Sequence, residues 1–120
     1  MKKKCFLAGV GGMLGEAFYF EFSKDYELYC TDKDVNEKWL HYLNFCEKDN
    51  YKSEVKKFNP DYLFHIGAFT DLEYCEIHKD ETIKTNTDSV ISAVEISNEL
   101  KIPLLYISTA GIFDGKKDFY

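Results

Sequence analysis

Four glycines lie within seven residues near the start of the chain, in the stretch GVGGMLG at positions 9–15. An apolar run of strand length, Lys3–Ala8, precedes them, and apolar residues at helical spacing follow in Met13–Ser23. Glycine loses more conformational freedom on folding than any other residue, so such a cluster needs a structural reason. The backbone must either turn where no Cβ fits or let another group come very close. The stretch therefore predicts a tight crossover from a strand to a helix.

The rest of the chain alternates between strand-like and helix-like segments. We predict further strands at Glu27–Thr31, Leu43–Phe45, Asp61–Ile66 and Pro103–Ser108, and further helices at Tyr51–Phe58 and Thr82–Leu100. Strands that alternate with helices favour a parallel sheet covered by helices on both faces. A chain of 120 residues is one domain by length. The expected fold class is therefore α/β, a doubly wound parallel sheet of about five strands. We expect it to be of the Rossmann type, with the order 3-2-1-4-5, and truncated.

Two segments carry expectations about burial. In the long helix we expect an inward apolar face made by Ile83, Val90, Ile91, Val94 and Leu100. The last strand, PLLYIS, is continuously apolar, as is typical of a parallel strand covered on both faces.

Gly9, Gly12 and Gly15 form the pattern G-x-x-G-x-x-G at the first crossover. In a strand–turn–helix unit, the first glycine makes the turn and the second lets backbone N–H groups approach a pyrophosphate. The third lets helix and strand pack closely. The positive end of the helix dipole stabilises bound phosphates. Glycine-rich turns also occur for packing alone, so the pattern needs a second feature.

Asp32 supplies that feature, at the end of the second predicted strand and about twenty residues beyond Gly12. A carboxylate there can accept hydrogen bonds from both ribose hydroxyls of a dinucleotide. It favours NAD, because a 2′-phosphate would meet its negative charge. Lys33 follows directly and could pair with that phosphate, so NADP stays open. The residues predict an NAD(P)H-binding crossover.

Three stretches resemble one enzyme family. The spacing of GVGGMLG resembles that of the extended short-chain dehydrogenases/reductases, and its GxxGxLG form resembles that of dTDP-4-dehydrorhamnose reductase-like enzymes. NPDYLFHIGAFTDLEYCE, at 59–76, and STAGIFDGKKDFY, at 108–120, resemble two further segments of these sugar-nucleotide reductases. The resemblance runs from residue 5 to residue 120. It implies a reductase of a 4-keto sugar nucleotide, used in making dTDP-rhamnose and cell-surface polysaccharide.

The resemblance also assigns roles to single residues. The implied cofactor-binding residues are Gly9, Gly12, Met13, Leu14 and Gly15 at the pyrophosphate; Asp32 and Lys33 at the adenosine ribose; Asn44 and Phe45 at the adenine; Gly67, Ala68 and Phe69 along the cofactor; and Asn86 on the following helix. The implied catalytic residue is Thr109, whose hydroxyl hydrogen-bonds the substrate carbonyl. This chain departs from the family pattern at His65, where asparagine is usual, and at Ala110 and Gly111, where Asp-Tyr is common.

Reductases of this family use a Tyr-x-x-x-Lys pair, whose lysine lowers the pKa of the tyrosine that protonates the carbonyl oxygen. The chain has one such spacing, Tyr29 and Lys33, at the end of a predicted strand where the two side chains do not share a helical turn. We interpret this match as chance. We therefore expect residues 1–120 to be the truncated, N-terminal cofactor-binding part of a longer reductase, and to be inactive alone.

Two other functions stay open beside the reductase. The chain could be a non-catalytic module that binds NAD(P), or part of an NAD-dependent epimerase or dehydratase of sugar nucleotides, since those relatives share the same front half. Titration with NADH and with NADPH separates a dinucleotide-binding protein from a protein that binds neither dinucleotide.

Composition excludes several classes of partner. The net charge of −6 disfavours nucleic acid and anionic membranes as partners, and no apolar segment approaches the ~20 residues of a membrane span. Cysteines at 5, 30, 46 and 75 form no CxxC pair, which favours buried thiols in a reducing, cytoplasmic compartment. Cys75 and His78 alone cannot complete a zinc site, so we expect no metal. Association of copies through exposed apolar surface stays open.

Overall fold

The structure, a computed structural model, describes residues 2–68, 72–107 and 116. Its strands are β1 (Lys3–Ala8), β2 (Tyr26–Asp32), β3 (Leu40–Tyr42), β4 (Tyr62–His65) and β5 (Leu104–Tyr106). Its helices are α1 (Met13–Phe22), α2 (Lys48–Phe58), α3 (Leu72–Ile77), α4 (Lys79–Ile83) and α5 (Ser89–Leu100). A π-helical segment, Lys84–Asp88, joins α4 to α5 and is called the π-turn below.

The five strands form one parallel sheet in the order β3-β2-β1-β4-β5. Ala8 pairs with Thr31 of β2 on one side and with His65 of β4 on the other. The carboxyl ends of these three strands therefore meet at one edge of the sheet, where ligands of doubly wound folds bind. The predicted fold class and strand order are confirmed.

Alternate residues of β1 enter two separate cores, as the two-residue period of a strand requires. Cys5 and Leu7 pack on the α1 side with Val10, whereas Phe6 and Ala8 pack on the opposite side. That opposite core also holds buried residues of α2 and α5: Tyr51, Val55, Ala93 and Ile96. Helices therefore cover both faces of the sheet, and β1 is its buried centre.

The prediction of the third strand at Leu43–Phe45 is wrong by three residues. The strand is Leu40–Tyr42, which pairs with Cys30–Asp32 of β2. It ends because Asn44 makes a local turn, in which its side-chain Oδ1 accepts a hydrogen bond from the backbone N–H of Cys46 at 3.0 Å. Phe45 thus belongs to the loop before α2, which brings its ring to the sheet edge.

Residues 82–100 are helical, as predicted for Thr82–Leu100, but they are not one regular α-helix, because the π-turn interrupts the α-helical hydrogen bonds and the helical stretch already begins with α4 at Lys79. One extra residue in a helical turn rotates everything that follows by about 100°. The buried residues of α5 are therefore Ser89, Ala93, Ile96 and Ser97, and of the set expected from the sequence Leu100 packs against the core and Val90 is half-buried. Ile83, Ile91 and Val94 of that expected set are exposed.

The last strand is not covered as its composition suggested. Leu105, Tyr106 and Ile107 are exposed, because β5 is the outermost strand of the described sheet and pairs with β4 alone. Ser108 lies outside the described residues.

The expectation of buried thiols holds for two of the four cysteines. Cys5 and Cys30 are buried side by side, and desolvation raises their thiol pKa values to about 11 and about 12. Cys46 is exposed and Cys75 is half-buried.

Candidate functional site

The first and fourth strands come into backbone contact just beyond their carboxyl ends. Gly9 has a positive φ of 79°, and a Cβ built on it would lie 2.4 Å from the Cα of Gly67. A Cβ on Gly67 would in turn lie 2.6 Å from the Phe45 ring. Both positions therefore require glycine, the first for its conformation as well as for space.

Gly15 and Gly12 differ sharply in their surroundings, although both open α1. A Cβ on Gly15 would lie 2.0 Å from the carbonyl oxygen of Val10, so only glycine lets the helix pack this close to the crossover. A Cβ on Gly12 would meet nothing within 4 Å. Gly12 therefore faces open space at the start of a ten-residue helix.

The main chain of the crossover is held by β2. The backbone N–H groups of Gly9 and Val10 both donate to the carbonyl oxygen of Thr31, at 2.9 and 3.1 Å. The N–H groups of the first turn of α1 have no acceptor within the helix, as in any helix. The open space at Gly12 is therefore bordered by donors and by the positive end of the helix dipole.

The Asp32 carboxylate points back at this crossover. Its Oδ2 accepts a hydrogen bond from the N–H of Gly11 at 2.8 Å, and its Oδ1 accepts one from the N–H of Asp34 at 3.0 Å. A Cβ on Gly11 would lie 2.8 Å from the carboxylate carbon. The carboxylate is thus fixed beside the glycine turn and only half-buried.

Sequence reasoning missed Gly11 and Asp34 at this position. Gly11 lies in the quoted glycine cluster but outside the G-x-x-G-x-x-G pattern, so the pattern gave it no role. The signal that could have identified Gly11 is the acid after β2, because a carboxylate that lies beside the glycine turn needs a glycine without a Cβ next to it.

Phe45 covers the contact between Gly9 and Gly67. Its ring carbon Cε2 is the side-chain atom that a Cβ on either glycine would strike. The ring also lies 4.6 Å from the His65 ring, centroid to centroid. Phe45 is therefore an apolar wall of the crossover, whereas the Asn44 side chain is used in its own turn.

His65 is a fully buried polar residue behind that wall. Its Nδ1 lies 2.8 Å from the Tyr51 hydroxyl and its Nε2 lies 3.0 Å from the Ser89 hydroxyl. Burial lowers the pKa of His65 from 6.5 to about 4 and raises the pKa of Tyr51 above its ordinary value. His65 is therefore a neutral imidazole near pH 7.

The other predicted site residues fall into three groups. Leu14, Lys33 and Ala68 are exposed next to the crossover residues. Asn86 lies on the π-turn, and Met13 begins α1. Phe69 and Thr109 lie outside the described residues.

Neither a metal-binding cluster nor a membrane-spanning helix is present in the described ranges. No group of three or more His, Cys, Asp or Glu side chains there is arranged to hold a metal ion. None of the helices described is both long enough and apolar enough to cross a bilayer.

Several curated proteins are similar to this chain in sequence. They include reductases of sugar nucleotides and of glycan biosynthesis, and a subunit of another enzyme. The probable low-salt glycan biosynthesis reductase Agl14 of Haloferax volcanii is 21% identical over 120 residues, which cover 96% of this chain and 40% of that protein. A dTDP-4-dehydrorhamnose reductase of Sinorhizobium fredii is 29% identical over 65 residues, or 54% of this chain and 22% of that protein. The beta subunit of methionine adenosyltransferase 2 of Danio rerio is 24% identical over 120 residues, or 98% and 36%.

Solved structures share the fold over almost the whole chain. A hypothetical dTDP-4-dehydrorhamnose reductase from Sulfolobus tokodaii matches with a TM-score of 0.87 and 26% identity, covering 100% of this chain and 43% of that one. The dTDP-4-dehydrorhamnose reductase from Bacillus anthracis, solved in complex with NADP, matches with a TM-score of 0.85 and 24% identity, covering 98% and 40%.

The chain spans less than half the length of each of these relatives. Residues 3–120 match the family described as the RmlD substrate binding domain, which is nearly the full sequence. The chain with the Gly9–Gly15 crossover and the Asp32 carboxylate therefore belongs to the RmlD substrate-binding domain family.

Proposed function

We propose that residues 1–120 are the NAD(P)H-binding part of a reductase that acts on a 4-keto sugar nucleotide. The observation that carries this proposal is the open space at Gly12. It lies at the start of α1, directly after Gly11, whose N–H holds the Asp32 carboxylate at 2.8 Å. A diphosphate needs such an approach to bare backbone, and a ribose needs such an acceptor.

The family and its relatives support the substrate class. The chain belongs to the RmlD substrate-binding domain family, and a curated relative and a solved neighbour are dTDP-4-dehydrorhamnose reductases. The neighbour from Bacillus anthracis was solved with NADP. We carry the cofactor and the nucleotide sugar over to this protein as part of the proposal, with a cytoplasmic location.

In this proposal the residues of the chain bind and orient rather than transfer protons. Gly12 and the first turn of α1 receive the diphosphate, and Asp32 receives the ribose hydroxyls. When bound, NAD(P)H supplies the hydride that reduces the carbonyl carbon. The Thr109 hydroxyl donates a hydrogen bond to the carbonyl oxygen.

The proton for that oxygen has to come from another group. Tyr29 is unsuited to supply it, because its hydroxyl donates to Glu54 Oε2 at 3.2 Å on the α2 side of the sheet. Its ring also stacks on His41, with centroids 4.2 Å apart. We therefore assign the proton donor to the part of the relatives' length that this chain does not span. The chain alone should not consume NADH with dTDP-4-dehydrorhamnose.

Titration with NADH and with NADPH, followed by nicotinamide fluorescence, tests the proposal. We expect saturable binding by the wild-type chain and at least a tenfold loss of affinity in Gly12→Ala, whose methyl group enters the space assigned to the diphosphate. Ala17→Leu, which adds bulk to an exposed position of the same helix, is the control and should bind as the wild type does. No binding of either dinucleotide by the wild type contradicts the proposal.

A non-catalytic NAD(P)-binding module is the second candidate. The observation in its favour is the relative from Danio rerio, which is a subunit of an enzyme of another class and matches 98% of this chain. Both candidates predict dinucleotide binding. Reduction of dTDP-4-dehydrorhamnose by the protein that contains this chain together with the rest of the relatives' length favours the reductase, and binding without turnover favours the module.

A further inference from the structure

A chain of buried hydrogen bonds runs behind the glycine crossover. It begins at the Tyr51 hydroxyl on α2, passes through both ring nitrogens of His65 at the end of β4, and reaches the Ser89 hydroxyl on α5. The Ser89 hydroxyl in turn bonds to the carbonyl oxygen of Thr85 in the π-turn. All three side chains are fully buried, and direct hydrogen bonds between them and to Thr85 link α2, β4, α5 and the π-turn.

The donor and the acceptor of each hydrogen bond follow from the acceptor at the end of the chain. The carbonyl oxygen of Thr85 can only accept, so the single hydroxyl proton of Ser89 is donated to it. Ser89 must then accept from His65, which places the imidazole proton on Nε2. With its pKa lowered to about 4 the ring is neutral, so Nδ1 carries no proton and accepts from the Tyr51 hydroxyl. One tautomer of His65 satisfies every group.

The middle member of this chain, His65, lies next to the proposed dinucleotide site, and the chain ends at the π-turn. The His65 ring contacts Phe45, whose ring is packed against Gly9 and Gly67 at the crossover. The π-turn, at the Ser89 end of the chain, carries Asn86 directly after Thr85 in sequence. A shift of the imidazole would therefore move the apolar wall of the crossover and the π-turn together.

We propose that His65 is a positioning residue for dinucleotide binding. Its Nε2-protonated tautomer, held between Tyr51 and Ser89, fixes the π-turn and the Phe45 wall in the geometry that the cofactor needs. This inference rests on the proposed function, because its readout includes dinucleotide affinity. It adds to that function a role for a residue that departs from the usual asparagine of the family.

Two buried serines on α5 provide a matched comparison. Ser89 and Ser97 each donate to a carbonyl oxygen of the preceding turn, but only Ser89 also contacts His65. We expect Ser89→Ala to weaken NADH binding about fivefold to tenfold, because a buried donor on His65 loses its acceptor. Ser97→Ala should bind NADH within about twofold of the wild type. Tyr51→Phe tests the other end of the chain and should also weaken binding.

The imidazole ¹⁵N chemical shifts of the wild type give a readout that is independent of the cofactor. We expect His65 to show a protonated Nε2 and an unprotonated Nδ1, and we expect this preference to be lost in Ser89→Ala. An unfolding curve for every variant, followed by the fluorescence of Trp39, establishes that the variant is folded. If Ser89→Ala does not fold, Tyr51→Phe takes its place in the comparison.

The outcomes separate this inference from the proposed function. Equal NADH affinity in the Ser89→Ala and Ser97→Ala variants, or a protonated Nδ1 in the wild type, overturns the positioning role alone. A wild-type chain that shows the expected tautomer but binds no dinucleotide overturns the proposed function, and with it the effect on affinity.

Discussion

Gly15 lies on the first turn of α1 directly over Val10, where main chain fills the space that a side chain would take. A methyl group there would lie 2.0 Å from the Val10 carbonyl oxygen, so the helix or the crossover must move. We expect Gly15→Ala to lower the free energy of unfolding by roughly 2–4 kcal/mol. Urea denaturation followed by the fluorescence of Trp39 measures this loss.

Gly12→Ala is the matched control, because the same methyl group at this position meets nothing within 4 Å. Its φ of −93° is open to any residue, and the cost of losing glycine at a helix N-cap should stay below about 1 kcal/mol. Equal losses of stability in the two variants would contradict the distinction between a packing glycine and a glycine that leaves room for a ligand.

The imidazole of His65 should make stability depend on pH in a defined window. Its pKa is lowered to about 4 in the fold, against 6.5 for an exposed histidine, so the unfolded chain binds the proton more readily. Stability should therefore fall as pH decreases below 6.5, by roughly 1 kcal/mol between pH 7 and 5.5. Comparison of unfolding free energies with those of His65→Asn checks this, since the variant should lack that part of the slope. An unchanged slope would mean that His65 is not held neutral.

Residues at the crossover were predictable to different degrees. The glycines and the acid after β2 could be identified from the sequence, because a tight turn requires glycine and a ribose requires a hydrogen-bond acceptor. The structure places Asp32 beside Gly11. The buried bonds of His65 were not predictable, because Tyr51 and Ser89 are distant in sequence and only the packing of α2 and α5 brings them together. Whether the predicted residues bind a cofactor stays a prediction.

At the level of elements, the π-turn decides which side of α5 faces the sheet. Its extra residue rotates α5, so Ile96 is 1% exposed and Ile91 is 52% exposed. We expect Ile96→Ala to cost about 2–5 kcal/mol of stability and Ile91→Ala to change it by no more than about 0.5 kcal/mol. Thermal or urea unfolding of the two variants measures this difference. A larger loss for Ile91→Ala would restore the face predicted from the sequence.

Element boundaries were predictable where one local signal dominated. The apolar run of β1 and the helical period of α1 were located to within a residue. The third strand was not, because the apolar residue Leu43 lies just beyond the last paired residue, Tyr42. The π-turn was missed because the hydrogen bond that marks it, from the N–H of Ser89 to the carbonyl oxygen of Lys84, leaves no distinct sequence pattern.

At the level of the whole molecule, alternation of strands and helices was sufficient to predict a parallel sheet, and the strand order was predicted with the Rossmann-type fold. The prediction held because β1 is buried on both faces, so its neighbours on each side must be parallel strands reached by crossovers. The expected cover of β5 did not hold, since periodicity gives the polarity of a strand and not its place in the sheet. Leu105 and Tyr106 are exposed on this outermost strand of the described part.

NADH titration of the ¹⁵N-labelled chain, followed through its backbone amide resonances, locates the diphosphate on the molecule. We expect the largest saturable shifts at Gly11, Gly12 and Met13, because they lie at the start of α1, and at the residues after Asp32, because its carboxylate is bonded to Gly11 and is assigned to the ribose. Resonances at the opposite, amino-terminal edge of the sheet, such as those of Lys3, should stay in place. Absence of shifts at the crossover, or saturable shifts centred on that opposite edge, would contradict dinucleotide binding at these glycines.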